Sequence, residues 1–175
     1  MDEILTPRLR LRRARLEDAD PLFEVFADPR AMRYWSTPPH ADIEDTRRFV
    51  RAMLGAPEAS SDDFVIELEG RVVGKAGCWR LPEVGYILHP DLWGRGLARE
   101  AMQAVIERMF GVWRLPALTA NVDPRNEPSL ALLARLGFRE THRAKGDYRV
   151  GEEWLDSVYL QLDREANGAI SMGPS

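Results

Sequence analysis

Val84-Gly85-Tyr86-Ile87-Leu88-His89-Pro90-Asp91-Leu92-Trp93-Gly94-Arg95-Gly96-Leu97-Ala98-Arg99-Glu100-Ala101 reads as three pieces in succession. Val84 to Leu88 has the composition of a strand, and His89-Pro90 ends it. Two glycines then lead into a long amphipathic helix. Leu97, Ala98, Ala101, Met102, Val105, Ile106, Met109 and Phe110 keep one face, charged residues occupy the other, and Gly111 stands at the end. The first amides of a helix have no partner within it, and the macrodipole makes that end partly positive. Glycine lets the loop curl and a ligand approach closely. The stretch therefore predicts a pyrophosphate site at the helix N-terminus. The sequence lacks Gly-Lys-Ser/Thr, which excludes a P-loop, and the third glycine of dinucleotide spacing.

Working outward, Leu9 to Arg12 alternates apolar and charged residues as a half-buried strand does. Ala19, Leu22, Phe23 and Phe26 predict a short helix with Asp18 as its cap. After Pro38-Pro39, Asp42 caps a second helix with Ile43, Phe49, Val50, Met53 and Leu54 inward. Phe64 to Leu68 and Val72 to Trp79 form a hairpin about Glu69-Gly70. Beyond the long helix come a strand at Leu115 to Val122, a loop, and a short helix from Ser129 to Leu136 closed by Gly137. Two final strands, from Phe138 onward and Trp154 to Leu162, turn at Lys145-Gly146-Asp147. This mixed order predicts an α/β (α+β) fold: one domain with a mixed, mostly antiparallel sheet flanked by helices. Residues 1–163 are assigned to it, and residues 164–175, small and polar, to a disordered tail.

The chain has 175 residues, enough for one domain with a sizeable core. Its net charge of -4 gives no general basic footprint for nucleic acid. No apolar run is long enough to span a bilayer, and Met1-Asp2-Glu3 does not begin a signal peptide. The single cysteine, Cys78, cannot form an internal disulfide. A soluble cytoplasmic protein is expected, without membrane or nucleic-acid partners. His40, His89 and His142 lie without metal-ligand spacing, so no metal is expected.

Three motifs then carry a resemblance. Trp93-Gly94-Arg95-Gly96-Leu97-Ala98 resembles the Gln/Arg-x-x-Gly-x-Gly/Ala loop of the GCN5-related N-acetyltransferase (GNAT) superfamily, in the Trp-Gly-x-Gly form of its RimJ/RimL-like ribosomal-protein branch. Asn121-Val122-Asp123-Pro124-Arg125-Asn126-Glu127-Pro128-Ser129, followed by Leu136-Gly137-Phe138, is similar to its N-x-x-N-x-x-S and L-G-F segment. Thr6-Pro7-Arg8-Leu9-Arg10-Leu11-Arg12 is the third match. The resemblance covers roughly residues 5–163, and three motifs in order are far more specific than a lone Gly-x-Gly.

The resemblance implies a sheet splayed near its middle and acetyl-CoA as cosubstrate. The pantetheine arm would pair with the backbone of Ile87 and Leu88 like an added strand. Trp93, Gly94, Arg95, Gly96, Leu97 and Ala98 would hold the pyrophosphate. Asn121 and Asn126 are assigned to the same cofactor, and Tyr34 and Trp35 to the wall of the acceptor site. A neutral amine would attack directly, with no covalent enzyme intermediate. Glu83 is the candidate base through water, Ser129 the candidate acid, and a backbone N–H near Leu88 the oxyanion donor. Many superfamily members use a Tyr in the short helix, near Leu133, where this chain has no hydroxyl.

Blander readings stand beside these. Gly94 and Gly96 could make a plain turn, Ser129 could be an N-cap, Asn126 could make a turn, and Glu83 could be a solvated carboxylate. Trp154 is assigned to core packing, Cys78 to a buried apolar site, and Arg8, Arg10, Arg12 and Arg13 to a solvated strand face. Tyr34-Trp35 either lines the amine pocket or packs on the sheet. Open alternatives are another donor such as succinyl-CoA, or a CoA-binding regulatory module. The acceptor, a protein N-terminus or a small amine, is not specified, and a homodimer through the final strands is one option for assembly.

Overall fold

In the computed structural model, which describes residues 3–165, eight strands form one open sheet in the order β1-β2-β3-β4-β5-β6-β8-β7. They are β1 (Glu3–Leu5), β2 (Leu9–Arg12), β3 (Asp62–Leu68), β4 (Arg71–Arg80), β5 (Glu83–Leu88), β6 (Ala117–Val122), β7 (Arg139–Val150) and β8 (Glu153–Asp163). The helices are α1 (Ala19–Phe26), α2 (Pro29–Met32), α3 (Ile43–Gly55), α4 (Leu97–Gly111) and α5 (Glu127–Arg135). Every pairing is antiparallel except β5 with β6.

Strand alternation sorts the core onto two faces. Phe64 and Ile66 point to the face covered by α4 and α5, where they join Leu97, Met102, Met109 and Leu133. Val65, Val72 and Ile87 point to the other face and pack against Leu22, Phe26 and Val50 of α1 and α3. β3 and β4 are thus buried on both sides, and the charged residues Asp62, Asp63 and Lys75 within them are buried as well.

β5 and β6 meet at a single register pair, Glu83 with Thr119. Beyond it they diverge toward their C-terminal ends, giving the expected splay.

Several local expectations are corrected. Asp18 does not cap α1 with its side chain. Its carboxylate instead takes Arg12 Nη1 and Nη2 at 2.8 and 2.9 Å and the Arg15 amide at 2.7 Å. Arg12 is accordingly buried, and its Nε donates to Glu67 at 2.7 Å, so it is not on a solvated face. Lys145-Gly146-Asp147 is not the final turn: β7 runs through it with a register shift between Ala144 and Tyr148, and the chain reverses after Val150. Trp154 is 63% exposed and Leu54 50%, so neither is a core residue. β1 and α2 are elements that the periodicity did not reveal. Asp42 does cap α3, accepting from Glu44 and Asp45 amides, and Cys78 is buried. Of the expected tail, Arg164 donates its amide to Pro116 O at 3.0 Å, while residues 166–175 lie outside the described residues.

Candidate active site

The gap between β5 and β6 opens into a groove of about 1160 Å³. The β4–β5 register sets which backbone groups face it. Leu88 lies opposite Gly74 and Ile87 opposite Lys75, and the His89 amide donates to Val73 O at 2.8 Å. Antiparallel pairs alternate between bonded and non-bonded. The backbone groups of Gly85 and Ile87 therefore turn to β4, and those of Tyr86 and Leu88 turn to the gap. This corrects the expectation for Ile87, whose backbone is already committed. Trp93 Nε1 donates to Leu88 O at 3.0 Å, so the Leu88 N–H is the group left facing the groove.

Gly94 and Gly96 both adopt left-handed backbone, with φ of +73° and +76°. Gly96 is the residue before α4, and no side chain caps that helix. The loop is held from outside. Arg8 Nη1 donates to Arg95 O at 2.8 Å, and Glu100 Oε1 accepts from Thr6 Oγ1 at 2.6 Å and from the Arg8 amide at 2.9 Å. Burial acts to raise the Glu100 pKa, but these donors outweigh it and hold the carboxyl below its ordinary value. The Thr6-Pro7-Arg8 motif thus acts through the glycine loop, a link that sequence spacing does not reveal.

Asn126 is the N-cap of α5, its Oδ1 accepting the Ser129 amide at 3.2 Å. That frees the Ser129 hydroxyl from the capping role weighed for it. Ser129 Oγ instead lies 2.8 Å from Tyr86 Oη. Tyr86 and Ser129 both line the groove with Asn126, and sequence reasoning gave Tyr86 no role. Burial pushes the Tyr86 pKa up. Leu133, the position without a hydroxyl, is buried in the core.

The opposite wall is α2 and the residues after it. Asp28 caps α2 by accepting the Arg30 amide at 2.8 Å, with Pro29 at the first position. Arg30 Nη2 also reaches Asp91 at 3.2 Å, which ties this wall to the loop after β5. Trp35 both packs and lines: it meets Phe26 edge-on at 6.0 Å and also borders the groove. Tyr34 lies between Arg33 and Arg125, whose guanidinium carbons stand 5.2 and 5.8 Å from its ring centre.

Trp93, Gly94, Gly96, Leu97, Ala98, Ile87, Leu88, Asn126, Ser129, Tyr34 and Trp35 all border one groove. Arg95, Asn121 and Glu83 do not. Arg95 contributes its carbonyl to Arg8. Asn121 alternates with Leu118, Ala120 and Val122 of the α4-side core, so it points to the opposite face and is exposed. Glu83 is exposed at the start of β5, on the face of Ile87, where β5 touches β6.

Five arginines line the groove (Arg30, Arg33, Arg99, Arg125 and Arg135) with one carboxylate, Glu127. Arg30 is paired with Asp28 and Asp91 and Arg125 with Asp123 and Glu153, so the positive field that favours an anion comes from Arg33, Arg99 and Arg135. An uncapped helix N-terminus, outward backbone groups on β5 and a positive rim fit a ligand with a diphosphate and an extended amide-bearing arm. Among the described residues, no cluster of His, Cys, Asp or Glu could hold a metal ion. No helix there is long and apolar enough to cross a membrane.

The comparisons with known proteins agree with this geometry. The acetyltransferase (GNAT) domain family matches residues 8–139. The uncharacterized N-acetyltransferase p20 of Bacillus licheniformis is 31% identical over 96% of this chain and 100% of its own length. The spermidine N(1)-acetyltransferase of Escherichia coli K12 is 28% identical over 87% of this chain and 84% of its own. Mycobacterium smegmatis RimJ, solved in complex with CoA-disulfide, superposes with a TM-score of 0.78 at 24% identity, covering 93% of this chain and 88% of that one. The chain belongs to the GNAT family of N-acetyltransferases.

Proposed function

We propose that the groove binds acetyl-CoA and that the enzyme transfers its acetyl group to a primary amine by direct attack. The observation that carries this reading is that β5 and β6 pair at one register position only, Glu83 with Thr119. Beyond it, the freed backbone of β5 and the uncapped N-terminus of α4 face one positively lined space. The pyrophosphate would sit on the amides of the Gly94–Ala98 loop. The arm would pair with the outward Leu88 N–H as an added strand. The Tyr86 N–H, the next outward group along β5 away from the glycine loop, would stabilise the oxyanion. The acceptor would enter past Tyr34 and Trp35. Glu83, on that face and two residues from Gly85, would take the amine proton through water. A Cβ built on Gly85 meets nothing within 4 Å, which leaves room for that path.

Calorimetric titration of the purified chain with acetyl-CoA, succinyl-CoA and free CoA tests the donor. Micromolar binding with acetyl-CoA preferred is the expected result. No binding of any of the three by folded protein would reduce the glycine loop to a turn. Release of CoA thiol against a panel of polyamines, amino acids and peptides with free N-termini then identifies the acceptor. The relative named for spermidine and the resemblance to the ribosomal-protein branch mark the two ends of that panel.

A further inference from the structure

We propose that Tyr86 is a positioning residue for acyl transfer: its phenol donates to Ser129 Oγ and so directs the one Ser129 hydrogen into the groove, toward the departing sulfur. The inference rests on the acetyl-transfer reading and adds a residue to it. Tyr86 Oη and Ser129 Oγ are 2.8 Å apart across 43 positions of sequence, one on β5 and one on α5, and both line the groove.

Geometry lets either oxygen be the donor, and chemistry breaks the tie. A phenol is the stronger acid, and an alkyl hydroxyl is the better acceptor. Serine carries one hydrogen and two acceptor sites. With Tyr86 donating, one acceptor site is filled and the hydrogen is free to point elsewhere. Left alone, a helical serine tends to bond back to a carbonyl of the preceding turn. Tyr86 competes with that geometry. The Ser129 amide is already satisfied by Asn126, so the hydroxyl is not needed at the helix end. Burial favours the protonated phenol, so Tyr86 remains a donor through neutral pH.

The step then balances as follows. The amine lone pair forms the C–N bond and the carbonyl π pair moves to oxygen. On collapse that pair returns, the C–S bond breaks, and its electrons go to sulfur. The sulfur leaves as a thiolate that accepts a hydrogen bond from Ser129, and the proton lost from nitrogen passes through water to Glu83. Neither hydroxyl gives up its own proton.

The experiment is a double-mutant cycle with Tyr86→Phe, Ser129→Ala and the pair, scored by kcat and by acetyl-CoA affinity. We expect Tyr86→Phe to lower kcat about tenfold with affinity unchanged, less than loss of a direct oxyanion donor costs. The double variant should be no slower than Ser129→Ala alone, because Tyr86 acts through Ser129. Additive losses, or a Tyr86→Phe variant that loses affinity and keeps kcat, would overturn the proposal. A full-rate Ser129→Ala would overturn it as well. Should Tyr86→Phe fail to fold, 3,5-difluorotyrosine at position 86 keeps the shape and acidifies the phenol. The high-pH limb of kcat must then move to lower pH, and an unmoved limb rejects the donor role. Wild-type protein that neither binds nor uses acetyl-CoA would instead defeat the underlying reading of the groove.

Discussion

Gly96 stands at φ +76° directly before α4, and a Cβ built there meets only Arg8 Nη2 at 3.5 Å. Left-handed backbone costs an ordinary residue about 1–2 kcal/mol, and Asn and Asp bear it best. Gly96→Asp and Gly96→Asn should therefore both fold. The Asp variant should bind acetyl-CoA about tenfold to hundredfold more weakly than the Asn variant, because only Asp brings a negative charge to the phosphate position. Equal losses by calorimetry would assign the effect to loop shape and remove the phosphate from this loop. Glu83 makes a different residue-scale claim. As the proposed base acting through water, it would touch the reaction and not the cofactor. Glu83→Gln should lower kcat about tenfold and leave acetyl-CoA affinity as it is. An unaltered pH–rate profile would take Glu83 out of the proton path.

The elements differ in how far sequence alone could describe them, and the difference has a physical cause. The stripe on α4 and the Asp42 cap of α3 are local patterns, and both stand in the structure as read. The groove is legible for a similar reason: its loop, its strand and α5 carry contiguous motifs. What escaped depends on contacts between distant residues. Arg12 looked solvated because Asp18 and Glu67, which bury it, come from other elements. The turn residues Lys145 to Asp147 are absorbed by a long hairpin, where pairing overrides local turn chemistry. Tyr86 gained a role only when α5 folded over β5. His40 is such a contact too. It stacks on Phe26 of α1 at 4.9 Å, and its Nδ1 lies 2.8 Å from Thr46 Oγ1 of α3. Burial lowers its pKa below 6.5. The unfolded chain then takes up a proton at a higher pH than the folded one. The stability tied to neutral His40 is present above 6.5 and is lost as pH falls below it toward the folded value. Urea midpoints should fall over that window in the wild type and fall less in His40→Phe. Identical slopes would show that the junction of α1 and α3 does not sense pH through this ring.

Across the whole molecule, the groove lies where the sheet parts, at the N-terminal end of α4, while a buried polar network sits at that helix's other end. Asp62, wholly buried at the start of β3, accepts from Arg108 Nε, Arg13 Nη2 and Trp113 Nε1, each at 2.6 Å. It joins β3 to α4 and to the segment after β2, and Arg108 lies about 18 Å along the helix from Gly96 at 1.5 Å per residue. Burial acts to raise the Asp62 pKa. The donors from Arg108, Trp113 and Arg13 outweigh it and keep the carboxyl below 3.8. Its stabilising contribution is therefore present above that value and lost as pH falls through the folded pKa. Asp62→Asn removes the buried carboxylate charge that faces Arg108 and Arg13, and losing one charge of a buried pair costs up to about 3–5 kcal/mol. Denaturant unfolding should show that loss at neutral pH and a shallower decline in acid than the wild type. Acetyl-CoA affinity, measured where the variant is still folded, should stay within about twofold of the wild type, since sites this far apart without shared partners behave nearly independently. A variant that keeps its stability but loses the cofactor would mean that α4 transmits strain from Asp62 to the glycine loop, and that the two ends of the helix work as one unit.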